Sequence, residues 1–324
     1  MTRHIKPPFT PHPLHHAERH WPETNCYVDL WIELLASRGH EPLAGLGFTV
    51  RQDFEGDQFT FFKVPADDLE RLFGVTIQEL AIFDTVEGHA AAQLARGTVP
   101  LIEMDGFYLP DTDGVSYRLQ HTKTTVAITT LDPARRRMSY FHNAGFFAVA
   151  GEDYDGLFGK LPGQGRAETL FPYAEFARFG APRLARPLAE EALHLLRHHL
   201  DYRPRANPVA AYQQAFPQHA EWLERKGADF FHAYAFNTLR QLGANFELLA
   251  SHLAWLGKEK ALDFDEEIAS ANALFGGAKA FQFQLARAVA RGRLAGLEAQ
   301  LTPLVSAYDA TFAGLRAKVL RALR

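Results

Sequence analysis

Ala235, Leu239, Leu242, Phe246, Leu249, Leu253 and Leu256 recur at alternating four- and three-residue intervals. That spacing lays one apolar stripe along a helix, and such a stripe must be buried against neighbouring elements. Val305, Tyr308, Phe312, Leu315 and Val319 repeat the pattern near the C-terminus. From Arg166 onward the chain is therefore expected to form an all-helical domain. The first half has another rhythm. The β-branched run Thr122 to Thr130 predicts a strand, and a second one, Met138 to His142, follows the turn Asp132 to Arg137, so the two should pair as a hairpin. The expectation is an α+β domain over residues 1–165 and a helical domain over 166–324, a length that suits two domains better than one.

Within the first half, Leu30, Trp31, Leu34 and Leu35 have helical spacing, and Gly39 is placed to stop that helix. Gln58 to Val64 reads as a short strand or a packed loop, and Pro65-Ala66-Asp67-Asp68 as a helix start. Glu87 to Arg96 is alanine-rich and favours helix until Gly97, Val99 to Met104 is a strand, and Phe107-Tyr108-Leu109-Pro110 is a loop at its end. Glycines 145, 151, 156, 159, 163 and 165 mark a loop-rich boundary.

Charged residues make up 22% of the 324 residues and the formal net charge is -4, so nothing global argues for nucleic acid or an anionic membrane as partner. No apolar run approaches the roughly 20 residues needed to span a bilayer. Arg3 and Lys6 are not followed by the apolar stretch of a secretory signal. One cysteine cannot form an internal disulfide, which fits a reducing cytoplasm. His4, His12, His15, His16 and His20 cluster in an N-terminal arm, but they lack metal-ligand spacing on a secure helix, so neither metal nor cofactor is expected.

That single thiol, Cys26, falls where Pro22-Glu23-Thr24-Asn25 gives way to the first helix. At a helix N-terminus the dipole favours thiolate, the nucleophilic form. A free cysteine is also a common buried structural residue, and position alone leaves both readings open. Of fifteen histidines, His121 is the best candidate base because it opens the Thr122 strand. Asn143 would orient its ring, with His142 as the competing choice, since strand alternation sends the two to opposite sides. The Cys26 backbone N–H would form an oxyanion hole together with Asn25 or Thr24, although either side chain also suits a helix cap. Asp105 and Tyr108 are expected to line the pocket.

Trp21-Pro22-Glu23-Thr24-Asn25-Cys26-Tyr27-Val28-Asp29-Leu30-Trp31, Asp53-Phe54-Glu55-Gly56-Asp57-Gln58 and Phe141-His142-Asn143-Ala144-Gly145 resemble the bacterial family catalogued as domain of unknown function 1839, over nearly the whole chain. More distantly, the order of Cys26, Phe107 to Pro110 and His121 is similar to the papain-like N-terminal domain of the butirosin-type biosynthesis acyltransferases. That resemblance implies a cysteine-proteinase-like fold, an acyl-enzyme at Cys26 formed from a thioester, an acyl or aminoacyl carrier protein as partner and a small-molecule amine or alcohol acceptor. The chain departs from the pattern at Asn25, where that family usually has histidine, and at Asn143, where it has aspartate. A hydrolase with water as acceptor and a non-catalytic binding protein on the same scaffold are the competing expectations.

Overall fold

The computed structural model describes residues 9–164 and 170–324. The expected domain boundary at 165/166 and His4 of the arm lie outside the described residues. The chain divides into two compact units, each assembled from separated stretches. One contains the segment ending at Pro13, Cys26–His40 and Leu69–Arg183; the other contains Leu14–Asn25, Glu41–Asp68 and Leu184–Arg324.

The first unit is built on a six-stranded antiparallel sheet, ordered β1-β6-β2-β3-β4-β5. Its strands are β1 (Val75–Glu79), β2 (Val99–Asp105), β3 (Lys123–Asp132), β4 (Arg137–His142), β5 (Gly145–Ala150) and β6 (Ala174–Phe179). β2, β3 and β4 occupy the expected places. β5 and β6 were not expected, the first because its glycines resemble a loop, the second because it falls beyond the anticipated domain boundary. β6 pairs with both β1 and β2, so the sheet unit continues to Arg183.

Strand register fixes which side chains share a face, because directly paired residues point the same way. Glu175 pairs with Leu101, Leu101 with Ala127, and Ala127 with Phe141. The helix α1 (Cys26–Ser37) packs on this face against β3 and β4, burying Leu30, Trp31 and Leu34 completely or nearly so. Gly39, with φ +78°, follows it as the expected stop. The opposite face carries Ile102, Met104, Val126, Ile128 and Tyr140, which form a core with Ala90 of α2 (Val86–Ala95) and with Tyr154 of α3 (Glu152–Leu157).

In the second unit the expected stripe opens at Ala235, passes through a π-helical turn, Phe236–Arg240, and continues as the helix α4 (Gln241–Lys260). A longer helix, α5 (Asp265–Arg291), packs along it. The C-terminal repeat is two helices, Thr302–Phe312 and Leu315–Ala322. Trp21 is buried in this unit, with its indole N–H donating to the Phe275 carbonyl at 3.1 Å. Its ring lies so close to Gly243 of α4 that a Cβ there would stand 2.3 Å from the indole. Gly243→Ala should therefore overpack the contact and cost about 1–3 kcal/mol, seen as a lowered melting temperature by circular dichroism. No helix of the described residues is long and apolar enough to cross a membrane.

Candidate functional site

Tyr27 and Trp31, one turn apart on α1, set its direction over the sheet. The Tyr27 hydroxyl donates to Glu175 at 2.8 Å, and the Trp31 ring lies 6.4 Å from that of Phe179. The start of α1 thus lies toward the start of β6 and its next turn toward the end of β6, while the helix backbone packs on β3 and β4. The start of β6 pairs with Ile102, on the way to Asp105, and Asp105 pairs with Lys123. Cys26 is half-buried at the first position of α1, one residue before the Tyr27 that reaches Glu175, and it is not in the lining of either cavity described for this region.

His121 sits two residues before β3, at the end of the sheet where β2 finishes. Its Nδ1 is 2.5 Å from Asp105 Oδ2, and because a carboxylate only accepts, Nδ1 carries a proton, so in the neutral ring the lone pair is on Nε2. The ring stacks on Phe107 at 4.5 Å and 16°. Asp105 also accepts the Phe107 N–H through Oδ1, at 3.0 Å. A single carboxylate thereby fixes both the imidazole and the ring on which it lies. The imidazole is exposed toward solvent and borders a cavity of about 320 Å3 lined by Glu103, Met104, Asp105, Thr122, Lys123 and Pro172.

The expected orienter of His121 was Asn143, and the structure gives that place to Asp105. Asn143 occupies the two-residue turn between β4 and β5 with φ +46°, a left-handed conformation that asparagine tolerates better than most residues. Tyr108 is 9% exposed, accepts from Gln164 through its hydroxyl, and touches His121 only edge-on at 6.3 Å. It lines neither cavity described for this region. Thr24 and Asn25 belong to the helical unit. The Asn25 amide donates to the Phe62 carbonyl and to Gln241, and the Thr24 carbonyl accepts from Arg240 and Gln241. These bonds commit the Asn25 amide hydrogens, in place of the oxyanion role expected for it.

His142 forms a second relay on the opposite face. Its Nδ1–H donates to Asp111 Oδ2 at 2.5 Å, the Thr124 hydroxyl lies 2.7 Å from Nε2, and the Tyr140 hydroxyl donates to Asp111 Oδ1 at 2.5 Å. Burial and the neighbouring carboxylate push the Tyr140 phenol well above its ordinary pKa. The Thr124–His142 contact was legible from the hairpin, since β3–β4 pairing sets His142 opposite Val126 and diagonal to Thr124. Asp111, 31 residues away, left no such signal. This relay ties the Gly106–Thr112 segment to the sheet, and no cavity among those described adjoins Thr124. Asp111→Ala would strand two buried donors, a loss of about 2–5 kcal/mol in urea unfolding, with Asp111→Asn losing less because one acceptor oxygen remains.

Among the described residues, no three His, Cys, Asp or Glu side chains converge as a metal-binding set. What the α+β unit does hold is a half-buried thiol at the start of α1 and, where β2 ends and β3 begins, a carboxylate-oriented imidazole.

Two family models cover the chain: the DUF1839 N-terminal domain over residues 10–179 and the DUF1839 C-terminal domain over residues 185–317. The chain belongs to the DUF1839 family. No curated protein matches it.

Proposed function

We propose that the protein is a cysteine-dependent acyltransferase on a papain-like scaffold, with Cys26 as nucleophile, His121 as base and Asp105 as the residue that orients it. The observation behind this reading is the Asp105–His121 pair, 2.5 Å apart, in the same unit as the helix that opens with Cys26. An imidazole held through Nδ1 presents Nε2 as a proton acceptor, the role required beside a thiol.

In the proposed reaction, Nε2 takes the Cys26 proton, and the sulfur attacks the carbonyl carbon of a thioester donor. The tetrahedral intermediate collapses with loss of the donor thiolate, which receives that proton from His121. An acceptor amine or alcohol then attacks the Cys26 thioester, gives its proton to His121 and leaves as amide or ester, while the Cys26 sulfur departs as thiolate and is reprotonated by His121. Thioester exchange is close to isoenergetic, so positioning and exclusion of water supply most of the advantage. A carrier protein as donor and a small-molecule acceptor remain part of the proposal through the family resemblance alone.

Intact-mass spectrometry after incubation with a simple acyl thioester tests it. The expected result is a single acyl adduct, lost in Cys26→Ala and discharged by an added amine. Rapid release of free acid without an acceptor would make the protein a hydrolase with the same residues. Absence of both adduct and turnover would leave a binding protein that retains the scaffold.

A further inference from the structure

We infer that the open edge of β2 beside His121 is a binding slot for an extended, amide-bearing chain with an apolar group. In β2, odd-numbered residues direct their backbone N–H and C=O toward β6 and even-numbered ones toward β3: Glu103 N–H donates to the Tyr173 carbonyl at 3.0 Å, and Gly106 N–H to the Thr122 carbonyl at 2.7 Å. The β2–β6 ladder stops at the Glu103–Tyr173 bond. Asp105, next in the odd series, therefore turns its N–H and C=O to the side where β6 has ended, and neither has a hydrogen-bond partner among the described residues. A residue of an added chain meets such a position by exchanging two hydrogen bonds with it, as opposed residues do in an antiparallel ladder.

On that side lies a cavity of about 480 Å3. Val86, Met104, Leu157, Phe158 and Leu170 give it apolar walls, and it shares Glu103, Met104, Asp105 and Pro172 with the smaller cavity at His121. Met104 belongs to the sheet face opposite Asp105. By the period of two, a ligand residue paired with Asp105 lies on the His121 side, and the residue after it sends its side chain into the apolar cavity. The carboxylates at this edge are already engaged, Asp105 by His121 and Glu103 by Lys123 at 2.8 Å, so the backbone slot and the apolar wall define the ligand class. The slot's use for the acyl-bearing arm of a substrate rests on the proposed acyl transfer; binding there does not.

Acetyl-Gly-Phe-methylamide is a suitable probe, titrated by calorimetry into full-length Cys26→Ala so that no chemistry interferes. Saturable binding is expected. It should weaken at least tenfold for the ester analogue in which the glycine N–H is replaced by oxygen, and at least tenfold for Val86→Trp or Leu157→Trp, whose folding is checked by circular dichroism. Equal affinity for the ester and the amide, unchanged affinity in whichever tryptophan variant folds, or no binding at millimolar probe would overturn the inference. Peptide binding without any thioester adduct on the wild-type protein would refute the acyltransferase reading and leave the slot intact.

Discussion

Replacing His121 by alanine should slow acylation of Cys26 about 10²- to 10⁴-fold, the range over which a positioned general base contributes. The side chain is exposed and its partners are Asp105, Phe107 and Tyr108, so the variant should keep the wild-type melting temperature. The loss would then be chemical. Asp105→Asn is the sharper companion, because the one acceptor oxygen an amide keeps can stay with the Phe107 N–H, leaving its NH2 toward the ring and favouring the other tautomer. That variant should lose a large part of the same rate. Asn143→Asp should change the rate little, since the turn residue has no part in holding the imidazole. Single-turnover mass spectrometry with one acyl thioester measures all three. A His121→Ala protein that acylates at the wild-type rate would end the assignment of His121 as base.

Acidification from pH 7 to below pH 4 should cost the protein about 3 kcal/mol through His252 alone. This side chain is fully buried in the helical unit. Its Nδ1–H donates to the Leu43 carbonyl at 2.7 Å, while Nε2 is buried without a hydrogen-bond partner. Nε2 faces Gly47 so closely that a Cβ on that residue would stand 3.3 Å away. Burial is the main cause that pushes the imidazole down from its ordinary 6.5 to about 4, opposed by the Leu43 carbonyl.

The sign follows from the depressed value. Above about pH 6.5 both folded and unfolded chains hold the imidazole neutral, and its contribution is complete. Between about 6.5 and 4 the unfolded chain binds a proton that the folded one refuses, so stability falls with pH across that window. His219, also depressed chiefly by burial and located in the same unit, acts in the same direction. Urea unfolding at pH 7 and pH 4.5 should show the fall. His252→Asn, which keeps a donor for the Leu43 carbonyl but cannot titrate, should be less stable at pH 7 and show a smaller fall. An equal pH dependence in the variant and the wild type would remove His252 from the explanation.

Much of the element order was legible because it depends on short-range spacing. α1 with its Gly39 stop, the alanine-rich helix before Gly97, β2 and the β3–β4 hairpin each carry their own periodicity or turn chemistry. β5 escaped because Gly145 and the Asn143 turn resemble a loop until β4 supplies a partner edge. β6 escaped because its pairing partners, β1 and β2, lie some 70 to 100 residues upstream. The domain division was blurred for a similar reason. Leu14–Asn25 and Glu41–Asp68 join the helical unit through packing across long sequence separations, which local composition does not encode.

The sequence by itself determined that a lone thiol would open a helix, that a histidine would stand just ahead of a strand, and that the C-terminal part would be helical. These properties follow from residue spacing along one segment. Only the tertiary structure decided what His121 meets. Asn143 was the plausible choice on the next strand, yet antiparallel registry between β2 and β3 pairs Asp105 with Lys123 and delivers a carboxylate to the imidazole. The β3–β4 registry turns His142 to the opposite face, toward Asp111 and Thr124, and the β2–β6 ladder stops at Glu103–Tyr173, short of Asp105. Registry is a relation between strands, fixed by the pleat and by how each face is buried, so it becomes visible only when the strands are paired.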